Sequence, residues 1–239
     1  MTRQRRQLTA GVVLSFGVVY IVFEFLAAMA WTAPPYDWAR NLISDLGFSD
    51  CAVIDGSVIC SPLHPLMNAG FMIQGTVFVI GSILVTRLMV PRRGMRIVVL
   101  SLLVTSGIGT FMVGVLHQGL ALYAAGLNVL HVVAATLAIG AGNIGILLLG
   151  VIVLREAEWR GYGIAVVVIA IVGTAAGVLL MARNDLGIGL GFIERVSVYP
   201  LNTWTIGTGV GLVVKSLRES RRSRATQWRQ PPVFPTMGA

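Results

Sequence analysis

Residues 128–154 read NVLHVVAATLAIGAGNIGILLLGVIVL, 27 residues without one Asp, Glu, Lys or Arg. At 1.5 Å of rise per residue such a helix is about 40 Å long, more than the roughly 30 Å hydrocarbon core of a bilayer. Within it, Gly140-Ala-Gly142-Asn-Ile-Gly145 matches the dinucleotide-binding fingerprint letter for letter. That fingerprint needs a preceding strand and a helix N-terminus at its glycines, and an apolar span provides neither. The stretch is therefore read as a transmembrane helix and the fingerprint is discarded.

Working outward, comparable apolar stretches recur. The chain has 239 residues, 56% hydrophobic and only 12% charged, where soluble domains run near a quarter charged. Disorder, a disulfide-rich secreted module and a soluble enzyme are excluded. The expected fold is an all-α integral membrane protein with six transmembrane helices, near 8–31, 65–90, 97–117, 128–154, 161–182 and 197–215. Ala28-Met29-Ala30 resembles a signal-peptidase site, but the apolar stretch before it exceeds a signal core of about 7–15 residues, so the first span is read as uncleaved.

Basic residues orient the bundle. With both termini in the cytoplasm, fifteen of the 18 Lys and Arg residues lie inside, and only Arg40, Arg183 and Arg195 lie outside. The net charge of +8 thus follows membrane orientation, and no nucleic-acid partner is needed to explain it. The expected division is a basic cytoplasmic N-terminus (1–7), a membrane domain (8–215) and a basic cytoplasmic tail (216–239) whose composition cannot build a core. Gly173 and Gly177 form a small-xxx-small seam on the fifth span, and Gly207, Gly209 and Gly211 thin the sixth; both fit close helix packing.

The outer loop, 32–64, is long enough to expect a function. Trp31, Tyr36 and Trp38 place rings at the membrane interface. Apolar residues at 38, 42, 43, 46 and 48 suit a short helix lying on the outer leaflet. Cys51 and Cys60 bracket eight residues on the side where disulfides persist, and a bridge between them is expected.

The three histidines, His64, His117 and His131, all fall at outer ends of spans. Ser44 and Asp45 of the loop, Asn128, and Glu194-Arg195 ahead of the sixth span join them on that face. Glu24 is an ionisable group within hydrocarbon, which marks a functional site or a paired charge, with Arg195 or a helix-bound hydroxyl as candidate partner. Two chemistries follow. His64, His117 and His131, with Asp45, could ligate a divalent metal such as zinc and activate water, with Ser44 stabilising an oxyanion. Alternatively Ser44 is a nucleophile with His117 or His131 as base and Asp45 or Glu194 as orienter, although no Gly-x-Ser-x-Gly elbow frames it. Against both stands a structural reading, in which Ser44-Asp45 caps a helix end and the histidines bond backbone carbonyls or water. Gln74, Thr105 and Asn143 are polar groups in mid-span, but no charge sits near a midplane, which disfavours transport.

Asn41-Leu-Ile-Ser-Asp-Leu-Gly47 after the first span, His117 and His131 around the third-to-fourth turn, and Gly191-Phe-Ile-Glu-Arg195 leading to Trp204 resemble a prokaryotic six-helix membrane family, domain of unknown function nine-nine-eight, over residues 10–215. More weakly, Ile-Ser-Asp-x-Gly is similar to the Frag/DRAM/Sfk membrane protein group. That group implies a lipid-related role with Ser44, Asp45 and His131 in a shared outer-face motif, although the Cys51–Cys60 segment departs from its pattern.

The function expected from these readings is binding or modification of a lipid at the outer leaflet of a prokaryotic plasma membrane. Ser44, Asp45, His117 and His131 would form the working cluster, and Arg195 and Asn41 would contact a phosphate. The alternative is a non-catalytic accessory subunit that packs against another membrane protein or a second copy through its glycine-rich faces.

Overall fold

The computed structural model describes residues 3–54 and 56–228. Helices α1 (Arg3–Ser15) and α2 (Val18–Ala30) make one long segment with a break at Phe16-Gly17. Ser15 bonds back to the Gly11 carbonyl at 2.8 Å, and the amides of Phe16 and Gly17 reach only three residues back. Both features tighten and bend a helix locally. Then come α3 (His64–Met89), α4 (Arg93–Val115), the short α5 (Leu120–Ala124), α6 (Asn128–Val153), α7 (Arg160–Met181) and α8 (Leu190–Trp228). Pro65 at the start of α3 gives up an amide that would have no partner there.

The helices close into a ring: α3 packs on α4, α4 on α6, α6 on α7, α7 on α8, and α8 on α1, which returns to α3. Two buried apolar clusters fill it. One is built around Leu14, Phe78, Leu103, Leu149 and Trp204, the other around Tyr20, Trp31, Ile43, Phe48 and Phe71. Outward, α6 exposes Val129, Val132, Val133 and Leu137, and α7 exposes Ile164, Val168, Ile171 and Val172. An apolar surface this extensive is one that lipid covers.

Five segments are long and apolar enough to cross a membrane: Arg3–Ala30, His64–Met89, Arg93–Val115, Asn128–Val153 and Ala157–Met181. The sixth expected span falls within α8 and is not among them. Its middle carries Ser197, Asn202, Thr205 and Thr208, all buried against the other helices.

Other expectations are corrected. The loop segment 38–48 forms no leaflet-bound helix; its only helical piece is a 3-10 turn, Ser44–Gly47, and residues 43–48 are buried in protein. Side chains take over the local backbone there: Asp37 accepts from the amides of Ala39 and Arg40, and Asn41 from that of Asp37. The last helix begins at Leu190, so Glu194 and Arg195 stand on it rather than ahead of it. It also continues past Ser216 to Trp228, where an unstructured tail is expected from composition. The side chain of Gln4 on α1 donates to the Ser216 carbonyl at 3.0 Å, and Lys215 pairs with Glu158. Residues 229–239 of the tail lie outside the described chain. The loop also departs from an all-α plan by a small hairpin. Strand β1 (Ala52–Ile54) pairs antiparallel with β2 (Ser57–Ile59), Val53 opposite Val58, and the Cys51–Cys60 disulfide closes its open end.

Candidate functional site

Arg195 fastens the loop to the helices. Gly189, at φ +99°, and Gly191 let α8 begin hard against the loop: a side chain on either would strike the carbonyl of Ala39 or Asn41. One helical turn on, the Arg195 Nη1 donates to the carbonyls of Trp38 at 2.9 Å, Asn41 at 3.1 Å and Gly191 at 2.9 Å, and Nη2 donates to the Tyr36 hydroxyl. Its Nε lies 3.2 Å from Oε1 of Glu24, which also accepts from the Tyr199 hydroxyl at 3.0 Å. The Tyr36 and Trp38 rings flank the guanidinium at 5.4 and 4.9 Å. Burial pushes the Tyr36 phenol up, so it stays protonated and donates to the Leu42 carbonyl at 2.9 Å. Arg195 is buried and committed to protein acceptors, and Asn41 is committed to the loop. Neither presents the free donor edge that the expected phosphate contact requires.

Beneath this clamp, between the two apolar clusters, lies a chamber of about 50 Å³ for the centres of water-sized molecules. At roughly 10–15 Å³ per water this is room for a few. The loop supplies Ile43 and Ser44 as its roof; Tyr20, Gln74, His131, Glu194 and Asn202 bring polar groups from α2, α3, α6 and α8; Phe71, Phe78, Val113, Ile139 and Leu201 are apolar wall. Three of the polar atoms are buried with no hydrogen-bond partner: the Tyr20 hydroxyl, Oε1 of Gln74 and Nδ2 of Asn202. Buried polar groups are almost always bonded to protein or to ordered water, so these three are open to water or to a polar ligand.

Ser44 and His131 thus share a chamber, but no carboxylate orients the ring. The His131 Nδ1 lies 2.8 Å from the Leu116 carbonyl. A carbonyl only accepts, so Nδ1 carries a proton, and in the neutral ring the lone pair is then on Nε2. Glu194 Oε2 accepts from the Ile43 amide, and Asp45 Oδ2 accepts from the Leu42 amide at 2.8 Å. The expected nucleophile–base–orienter relay therefore lacks its third member. His64 and His117 do not line the chamber. They lie near Asp50, whose exposed carboxylate is held below its usual range by the Leu120 amide, the Ser49 hydroxyl and the two histidines. Among the described residues, no three His, Cys, Asp or Glu side chains are grouped to hold a metal ion, so His64, His117 and His131 are not gathered as a zinc site.

Asp45 gives a pH signature. Burial pushes its carboxyl up from 3.8 to about 6, against the Leu42 amide, which favours the charged form. Between those values the folded chain holds a proton that the unfolded chain has released. The stability that Asp45 contributes therefore falls as pH rises from about 4 to 6, by about 3 kcal/mol. Asp45→Asn keeps an acceptor for Leu42 and cannot ionise. Melting in detergent at pH 4–6 should show a shallower slope in this variant than in wild type; an equal slope in both would assign it elsewhere.

Of the chamber's polar residues, sequence reasoning reached Ser44, Gln74, His131 and Glu194 but missed Tyr20, Ser106, Thr110 and Asn202. Their signal was available, since a polar residue inside an apolar helix faces the bundle interior. Tyr199 and Tyr36, which complete the clamp, carry no such signal, because tyrosines at span ends are commonplace.

A family model described as protein of unknown function (DUF998) matches residues 9–211. No curated protein and no solved structure matches the chain. The chain belongs to the DUF998 family, as its loop and histidine motifs implied.

Proposed function

We propose that this DUF998 membrane protein binds a lipid in the chamber under its disulfide-closed loop, with the loop facing outward and the Arg-rich helix ends facing the cytoplasm. The observation that carries this reading is the chamber's two-sided lining. Orphaned Tyr20, Gln74 and Asn202 offer unpaired groups to a polar ligand, while Phe71, Phe78 and Leu201 favour carbon. An amphiphile that places its headgroup among the first set and its glycerol or chain carbons against the second satisfies both. At about 50 Å³ the chamber admits part of a headgroup, and deeper entry requires the roof at Ile43-Ser44 to move. Binding, rather than hydrolysis, is the activity assigned, since His131 leans on a backbone carbonyl and not on an acid.

The test is lipid retained through purification in a mild detergent, counted by native mass spectrometry. Wild type should carry about one lipid per chain. Ala135→Phe fills the chamber from α6, at an overpacking cost of about 1–3 kcal/mol, and should lower occupancy at least about fivefold in protein that still melts cooperatively. Equal occupancy in both, or none in wild type, would refute the reading.

A further inference from the structure

Charge is unevenly distributed at the loop end of the bundle. The carboxylates of Glu24, Asp45 and Glu194 are buried there with one guanidinium, Arg195. Arg195 is paired with Glu24 and does not line the chamber, and Asp45 caps the Leu42 amide and does not line it either. Glu194 does line it, and its hydrogen-bond partner is a neutral backbone amide, that of Ile43. A buried carboxylate is costly unless a proton or a cation neutralises it. Two further observations are independent of this imbalance: Tyr20 and Gln74, 1% and 4% exposed, line the same chamber, and the Tyr20 hydroxyl and the Gln74 carbonyl oxygen have no hydrogen-bond partner.

We infer that the chamber takes the protonated primary amine of a lipid headgroup, with Glu194, Gln74 and Tyr20 as its oxygen acceptors, and discriminates against anionic headgroups. This rests on the lipid-binding reading above. An ammonium group offers three donors, matching three oxygens of which one is charged. The Nε2 lone pair of His131 and the Ser44 hydroxyl are further acceptors on the lining. Asn202 Nδ2, an unpartnered donor, then meets an oxygen of the same ligand beyond its short carbon linker. The apolar wall covers that linker, which a bare inorganic ion would leave facing empty space. Room for a few waters matches a two-carbon amine in bulk. A phosphate would face Glu194 with no cation on the lining to hold it, since Arg195 is turned to the loop.

The experiment uses the full chain, delipidated in detergent and exposed to mixed micelles with equimolar phosphatidylethanolamine, phosphatidylcholine and phosphatidylglycerol, bound lipid being counted by native mass spectrometry. Wild type should retain phosphatidylethanolamine over the other two by about tenfold, as loss of a charge-assisted hydrogen bond implies. Glu194→Gln should retain lipid without that preference. If Glu194→Gln does not fold, Gln74→Met, which removes one acceptor and keeps the carboxylate, should reduce the preference; an unchanged preference there would overturn the inference. Ethylammonium chloride should displace the lipid at a concentration where sodium chloride does not; displacement by both would place an inorganic cation there and overturn the inference. Equal retention of all three lipids by wild type, or an unchanged preference in folded Glu194→Gln, would also overturn it while leaving lipid binding intact. Retention of no lipid at all would remove both.

Discussion

Arg195→Gln should lower stability by about 3–5 kcal/mol, the range for removing one partner of a buried ion pair. Glu24 is fully buried and its Oε2 already lacks a partner, so losing the guanidinium leaves an uncompensated charge among apolar side chains. The same change strips the Trp38, Asn41 and Gly191 carbonyls of their shared donor. Protease cutting within 37–48 should therefore rise together with the loss in melting temperature. Arg195→Lys should fare little better, because one ammonium cannot span the carbonyls, the Tyr36 hydroxyl and Glu24 together. Adding Glu24→Gln to Arg195→Gln should recover part of the loss by removing the stranded charge. A full-sized loss in the double variant would show that the loop contacts, and not the ion pair, dominate. A mutant as stable as wild type would refute the clamp.

Gly209→Ala is the second large effect. A Cβ at Gly209 would lie 2.6 Å from the Ser15 amide nitrogen and 2.9 Å from the Gly11 carbonyl oxygen. Both are backbone atoms of α1, so no side chain can swing aside and the two helices must part. Overpacking of this kind costs about 2–3 kcal/mol, and Gly11→Ala, which meets the Gly209 carbonyl at 2.9 Å, should behave alike. Gly207 and Gly211 have open space where a Cβ would go. Alanine there should be neutral or add a few tenths of a kcal/mol through helix propensity. Melting of the four single variants in one detergent separates these cases. Equal melting temperatures for Gly207→Ala and Gly209→Ala would show that α1 and α8 do not cross at Gly209.

The small-residue pattern marked α7 and α8 as packing elements, yet which glycine touches what depends on helix rotation. Gly173 makes room for Asn143 and Pro200, and Gly177 approaches Ile139, so that seam is occupied within the chain by α6 and α8. In the discarded dinucleotide fingerprint, Gly142 and Gly145 abut Ser106, Leu201 and Leu103, while Gly140 faces open space. These are packing roles, as an apolar span predicts.

The sequence alone determined the membrane class and five of the spanning segments, and it pointed to the Cys51–Cys60 bridge and to Arg195 as one candidate partner of Glu24. The first two rest on run length against bilayer thickness, which needs no tertiary information. The bridge follows from two cysteines in one short loop, and the pairing from the cost of an unpaired charge in hydrocarbon. The loop's inward plunge, the start of α8 ahead of Glu194, and the separation of Ser44 and His131 from His64 and His117 were decided by the tertiary structure alone. Each depends on where Arg195 finds its acceptors and on which way each helix is turned. Periodicity in an almost uniformly apolar chain carries little information about rotation, because lipid and protein interior accept the same side chains.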